Sequence, residues 1–169
     1  MKKLFLIRHA KSSWEEGDKT DFERTLNARG LSDAPVISKI LSDLNVKPDL
    51  IVSSPALRAL TTAQIFANAF NYNPSGIKTD DRIYEAGITE LMNVVREFED
   101  NYTSPFLFGH NPGLTNFANL LGDKFMPELP TCGVVGIEFK IDSWKNTERW
   151  SGRIILFEYP KKHAGKSFH

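Results

Sequence analysis

Apolar positions along this chain alternate between two rhythms. Leu4–Ile7 is a short unbroken apolar run, the pattern of a strand buried on both faces. "LSDAPVISKILSDL" then places Ala34, Ile37, Ile40, Leu41 and Leu44 at helical spacing, with Ser32 as its cap and Pro35 in its first turn. Leu50–Val52 in "PDLIVSSP" repeats the strand pattern, and "SPALRALTTAQIFANAF" follows as a helix with Ser54 at the N-cap and Pro55 as first helical residue. "ITELMNVVREFED" carries Leu91, Val94, Val95 and Phe98 on one stripe, with Thr89 as cap, and "PFLFGHNPGLTNFANLLG" reads as strand, tight turn and helix, with Asn111 capping and Pro112 opening the helix. The rhythm changes at the end: "VVGIEFK" and "RIILFEYP" are two strand-like runs with no helix between them, the pattern of an antiparallel hairpin.

Strand–helix alternation predicts an α/β fold: a three-layer αβα sandwich with a mainly parallel mixed sheet and helices near 31–44, 55–70, 89–100 and 112–121 on both faces. The expected unit is a single domain over 1–160, with a basic, flexible tail at 161–169 that contains His163, Lys166 and His169. Trp14, Trp144 and Trp150 are read as packing or loop anchors.

Composition narrows the function classes. Lys+Arg and Asp+Glu are 21 each in 169 residues, so no global field draws the chain to nucleic acid or an anionic membrane, and cationic residues matter only as a local cluster. Cys132 is the single cysteine, which rules out an intrachain disulfide and fits a reducing compartment. The apolar run before Arg8 is shorter than the roughly 7–15 residues of a signal-peptide core, and no run reaches the ~18 of a membrane span. The expectation is a soluble, cytoplasmic monomer with no nucleic-acid or membrane partner.

Three strand exits share one device. "LFLI-RHA", "LIVS-SPALR" and "FLFG-HNPG" each end an apolar strand in a polar or cationic cluster, and in the last two a helix begins at once. Ligands of open α/β sheets bind outside the carboxyl ends of the strands. Parallel strands would bring Arg8, His9, Arg58 and His110 to one edge, beside two helix N-termini, as an anion-seeking pocket. An arginine in the opening turn of a helix works against the helix dipole, so Arg58 is placed for something other than stability. The chain lacks a phosphate-binding G-x-x-x-x-G-K-[ST], a G-x-G-x-x-G, a C-x-x-C or H-E-x-x-H metal motif, and a C-x(5)-R loop. No metal or other cofactor is therefore expected. Histidine is the strong nucleophile left in the cluster; it can accept a phosphoryl group on a ring nitrogen and release it to water. Neighbouring arginines would stabilise the phosphoryl oxygens and hold the imidazole neutral.

These residues carry a resemblance. Arg8-His9-Ala10 after a first strand is similar to the Arg-His-Gly signature of the histidine phosphatase superfamily, with its phosphoglycerate mutase-like fold. "SSPALRALTTA" resembles the second arginine motif and "GHNPGL" the second histidine motif, in the family's order and over most of the chain. The short length, "RHAKSSW" and "DFERTLNARG" resemble the SixA-type phosphohistidine phosphatase branch. Ala10 replaces the signature glycine, and Thr25 stands where that branch often has proline. The resemblance implies His9 as the phosphoryl-accepting nucleophile and Arg8, Arg58 and His110 as holders of the phosphoryl oxygens. It places Glu85, in "RIYEAG", near the position of the carboxylate that protonates an ester leaving group; acid, substrate contact and no role all stay open for it, with Asp21 and Asp81 as weaker candidates. The implied function is metal-independent hydrolysis of a phosphoryl group through a phosphohistidine intermediate on His9, as a phosphohistidine protein phosphatase, with a small-molecule phosphomonoesterase and a non-catalytic phospho-group binding module as alternatives. Protonation of His9 at low pH and deprotonation of His110 at high pH would then limit activity at both ends.

Overall fold

The computed structural model describes residues 1–14 and 19–164. Its described strands are β1 (Lys2–Arg8), β2 (Leu50–Ser53), β3 (Lys78–Thr79), β4 (Pro105–Gly109), β5 (Val134–Phe139) and β6 (Gly152–Glu158), in the spatial order β3-β2-β4-β1-β5-β6. β1, β4, β2 and β3 run parallel, and β5 is antiparallel to both β1 and β6, so the expected hairpin closes one side of a mixed sheet. β3 is two exposed residues at the edge, too short and too polar to show in the apolar pattern.

The alternation of side chains along β1 builds two cores. Leu4 and Leu6 face α3 (Ile88–Arg96) and α4 (Gly113–Leu121), joining Leu91, Val95, Leu114 and Phe117. Phe5 and Ile7 face α1 (Ala28–Asp43) and α2 (Leu57–Ala69), joining Ile37, Leu41, Phe66 and Phe108. This is the three-layer sandwich read from the sequence. The registers Arg8↔Gly109 and Ser53↔Phe108 bring the carboxyl ends of β1, β4 and β2 level on one edge.

Helix starts differ from the sequence reading because the capping side chains lie elsewhere. Asn27, not Ser32, caps α1 by accepting from the Gly30 N–H, so the helix starts earlier and Pro35 falls inside it. The carbonyl of Leu31 thereby loses its intrahelical donor, at a position open to water. Ala56 is the N-cap of α2, with Ser54 Oγ accepting from its N–H, and Pro112 rather than Asn111 occupies the N-cap of α4. Gly87, not Thr89, precedes α3, and Glu90 reaches back to accept from its N–H.

Trp144 is fully buried and donates its indole N–H to the Tyr102 carbonyl, as a packing anchor should. Trp14 and Trp150 are 80% and 70% exposed, so neither is a packing anchor; each is held within its loop, Trp14 by the Arg24 guanidinium on its ring and Trp150 by its backbone N–H to Leu120 O. Part of the sequence-defined tail is folded: Pro160–His163 forms a 3-10 turn, and Lys162 and His163 both engage Glu158. Lys166 and His169 lie outside the described residues. No helix among the described residues is long and apolar enough to cross a membrane.

Candidate active site

The level strand exits bring the predicted residues together. Arg8 ends β1 and His9 follows it, His110 follows β4, and Arg58 is the second residue of α2 after β2. All four line one cavity of about 460 Å³, together with Glu85. A larger hollow of about 790 Å³, between Met1 and Lys3, the end of α1 and β6, contains none of them. Asp81 is absent from the lining of the smaller cavity, whereas Asp21 is part of it.

Backbone bonds from three directions fix the His9 loop. The His9 N–H donates to Gly109 O (3.1 Å), the Cys132 N–H to His9 O (3.0 Å) and the Arg8 N–H to Gly133 O (3.1 Å). Thr62 Oγ1 accepts from the Ala10 N–H (3.0 Å) and donates to Arg58 O (2.8 Å), which ties the loop to the opening turn of α2. Ala10 is fully buried at this junction, so the site admits a methyl group where the family signature has none. Gly113 serves a neighbouring constraint. A Cβ there would lie 2.3 Å from Ala86 O, so only glycine lets α4 sit against the loop that carries Tyr84 and Glu85.

Both histidines are held neutral. Burial pushes His9 down to about 3; the Ala10 carbonyl opposes the shift, and His110, Arg58 and Arg8 add to it. His9 Nδ1 lies 2.7 Å from Ala10 O. A carbonyl only accepts, so Nδ1 carries the ring proton and Nε2 keeps its lone pair. Burial, then Arg58, pushes His110 down to about 4. Its Nε2 is 2.7 Å from Ser54 Oγ, a hydroxyl that already accepts from the Ala56 N–H and is free to donate its proton. That contact fixes the orientation of the His110 ring against Ser54 and leaves Nδ1 buried without a partner. Because His110 is already neutral near pH 7, its deprotonation at high pH is not a limit on the free protein, contrary to the sequence expectation.

The arginines are organised by residues that the sequence reading did not assign to them. Asp21 accepts from Arg58 through both its backbone carbonyl (Nη1, 2.6 Å) and its carboxylate (Nη2, 3.1 Å). The same carboxylate accepts from Arg24 Nη1 (2.9 Å) and from the Tyr84 hydroxyl (2.6 Å). The Tyr84 bond, then Arg24 and Arg58, hold Asp21 down at about 2, so it is an ionised positioning group and not a proton donor. The Asp21 carboxylate in turn pushes the Tyr84 hydroxyl up to about 12. Arg24 and Tyr84 line the same cavity. The one clue to Arg24 in the sequence was its place in "DFERTLNARG"; nothing local marks Tyr84, whose partner lies 63 positions away. Glu85 is exposed at the rim with a left-handed backbone (φ 55°), a strained setting for a non-glycine residue.

Among the described residues, three buried side-chain nitrogens have no hydrogen-bond partner, and all belong to this site: Arg8 Nε, Arg58 Nε and His110 Nδ1. Unpaired buried donors are costly unless a ligand completes them. Two arginines and a histidine with unpaired nitrogens, lining one cavity with the unprotonated His9 Nε2, suit a tetrahedral oxyanion. No group of three or more histidine, cysteine, aspartate or glutamate side chains among the described residues is arranged to hold a metal ion.

The chain is 28% identical over 159 residues to an uncharacterized chloroplastic protein of Arabidopsis thaliana, covering 89% of this chain and 72% of that one. Its fold matches the protein assigned as the phosphohistidine phosphatase SixA of Agrobacterium tumefaciens with a TM-score of 0.79 at 28% identity, over 94% of this chain and 98% of the other. A structure of the protein histidine phosphatase SixA complexed with tungstate shares the fold at a TM-score of 0.77 and 17% identity, over 95% and 98%. The sequence profile of the histidine phosphatase superfamily (branch 1) matches residues 4–112, which run from the first strand past His110. The chain belongs to that superfamily as a phosphatase of the SixA type.

Proposed function

We propose that this phosphatase hydrolyses phosphohistidine on proteins through a covalent intermediate on His9. In the first step the His9 Nε2 lone pair attacks phosphorus, and the P–N bond to the substrate imidazole breaks. The leaving imidazole nitrogen takes up a proton from water or from Glu85. In the second step water attacks the phosphoryl group on His9, giving inorganic phosphate and free Nε2. Arg8, Arg58 and His110 donate to the phosphoryl oxygens in both steps, from positions already fixed before substrate arrives. The observation that carries this reading is the state of His9: buried, neutral and a Nδ1–H tautomer, in one cavity with Arg8, Arg58 and His110, each of which keeps a buried nitrogen without a partner. An imidazole leaves from phosphorus more readily than an alkoxide, which suits a site in which Asp21 is engaged by Arg58, Arg24 and Tyr84 and Glu85 is exposed. Tungstate, the ligand in the related SixA structure, is an oxyanion of the kind this donor set would take.

A second reading, a small-molecule phosphomonoesterase, is favoured by Glu85 alone, because an alkoxide leaving group needs an acid at the rim. One experiment separates the two. Phosphate release is followed from a phosphohistidine peptide and from an alkyl phosphate, with wild type, His9→Ala and Glu85→Gln. The proposal expects the peptide to be preferred, His9→Ala to lose at least about 10³-fold in turnover, and Glu85→Gln to retain peptide activity. Preference for the ester, with Glu85→Gln inactive on it, would establish the second reading. Phosphate binding without turnover of either substrate would leave a binding module.

A further inference from the structure

Trp14 is 80% exposed, yet it is held in place. The Arg24 guanidinium lies against its ring, 3.3 Å from the centroid. That guanidinium is itself fixed by bonds from all three of its nitrogens: Nε to Ser13 O (3.1 Å), Nη1 to Asp21 Oδ1 (2.9 Å) and Nη2 to Ser12 Oγ. Bonds in the guanidinium plane prevent it from turning, and the planar face left over is the one that the indole covers. The backbone beneath is pinned as well, by the Ser13 N–H to Thr25 O bond (2.9 Å) and the Ser12–Leu26 bridge. One indole face is thus seated on a rigid cation while most of the side chain stays in water. Folding gains little from that arrangement, since an indole stabilises chiefly through buried area. Trp14 nevertheless lines the same cavity as His9, Arg58 and His110.

We infer that Trp14, seated on Arg24, is a stacking platform for the leaving group, and that the group it selects is a planar aromatic ring: the imidazole that carries the phosphoryl group. This rests on the phosphohistidine reading above and adds a specificity determinant to it. Indole offers a π face to a ring of that size and confers nothing on a ligand without one, so it discriminates by leaving group and not by phosphoryl group. Immobilising the platform in advance lowers the ordering cost of binding.

The test compares two substrates with the same P–N bond, a phosphohistidine peptide and phosphoramidate, which lacks the ring. Wild type, Trp14→Ala and Trp14→Phe are assayed for kcat and KM on each. The expected result is that Trp14→Ala lowers the ratio of kcat/KM for peptide over phosphoramidate by about tenfold, mainly through KM, and that Trp14→Phe restores most of it. An equal loss on both substrates, or no loss, overturns the platform and leaves the phosphohistidine reading standing. Wild type that hydrolyses an aryl phosphate but not the phosphohistidine peptide overturns both.

Discussion

Lys2 and Arg8 stand at the two ends of β1, and both bring a cation into the fold. At the amino end Lys2 is 4% exposed and engaged within the fold: Nζ donates to Asp100 O (2.6 Å) and Tyr102 O (3.1 Å), with the Trp144 ring 5.4 Å away. At the carboxyl end Arg8 Nη1 donates to Leu129 O (3.0 Å), while its Nε is buried with no partner. Arg58 Nε and His110 Nδ1 share that condition, on residues that line the same cavity. A buried cation held by two backbone carbonyls and an aromatic ring belongs to the architecture. One whose donors are left over belongs to something that arrives later. The difference follows from topology, because helix N-termini and strand exits collect at the carboxyl edge, whereas the amino edge offers carbonyl groups from loops.

The largest effect expected from this contrast comes from exchanging each cation for an apolar side chain of similar length. Arg8→Met should lower kcat/KM by about 10²-fold or more, with a small change in melting temperature. Lys2→Met should do the reverse, costing about 1–3 kcal/mol of stability through the stranded carbonyls while kcat/KM stays within about twofold. Phosphate release and thermal denaturation on both variants check the pair. Loss of stability without loss of activity in Arg8→Met would break the comparison.

A second contrast is between folded and unfolded states. His9 and His110 sit near 3 and 4 in the folded protein, against an ordinary value of 6.5. Below pH 6.5 the unfolded chain therefore takes up protons that the folded site refuses. The stability associated with these histidines is complete above pH 6.5 and is lost as pH falls towards 4 and then 3. Melting temperature measured from pH 7 to pH 4 should decline, and His110→Asn should flatten the decline. Asp21, held at about 2, acts in the same direction at lower pH. The ring resonances of both histidines should report neutral imidazole at pH 5.5; a titration midpoint near 6.5 for either would contradict the buried, neutral site.

The smallest effect expected is that of Tyr84→Phe. It removes one bond, the 2.6 Å hydroxyl contact with Asp21, and leaves the ring that packs edge-on to His110 and Phe22. Asp21 would lose its main stabilising donor and hold Arg58 less firmly. A fall of about fivefold in kcat/KM with little change in melting temperature is expected, and an unchanged profile would assign Tyr84 to packing alone.

The fold was legible because its signals are local. Buried parallel strands read as unbroken apolar runs, and the helices facing them as stripes at helical spacing. The same is true of Arg8, His9, Arg58 and His110, each marked by an abrupt change from apolar strand to charged or polar turn. The hairpin of β5 and β6 was legible for a related reason, since two strand-like runs without a helix between them can only pair antiparallel. Helix starts were less legible: Ser, Thr and Asn are all competent caps, and which one caps depends on where the preceding loop is anchored. Asn27 has that place because its own N–H bonds to Lys11 O, and the Gly30 site lies against the same residue with no room for a side chain.

The sequence by itself determined the sheet's hydrophobic strands, the sidedness of the helices, and the four residues that reach the carboxyl edge. Those properties depend on neighbours one to four positions apart. Tertiary structure alone decided that Asp21 is an ion-pair partner and not an acid, that Tyr84 reaches it across 63 positions, that His110 is neutral as well as His9, and that Trp14 faces water on an immobilised arginine. Each of those depends on burial and on the field of groups distant in the chain. Desolvation and Coulomb interactions act through space, and their strength is set only when the fold has fixed what lies within a few ångströms.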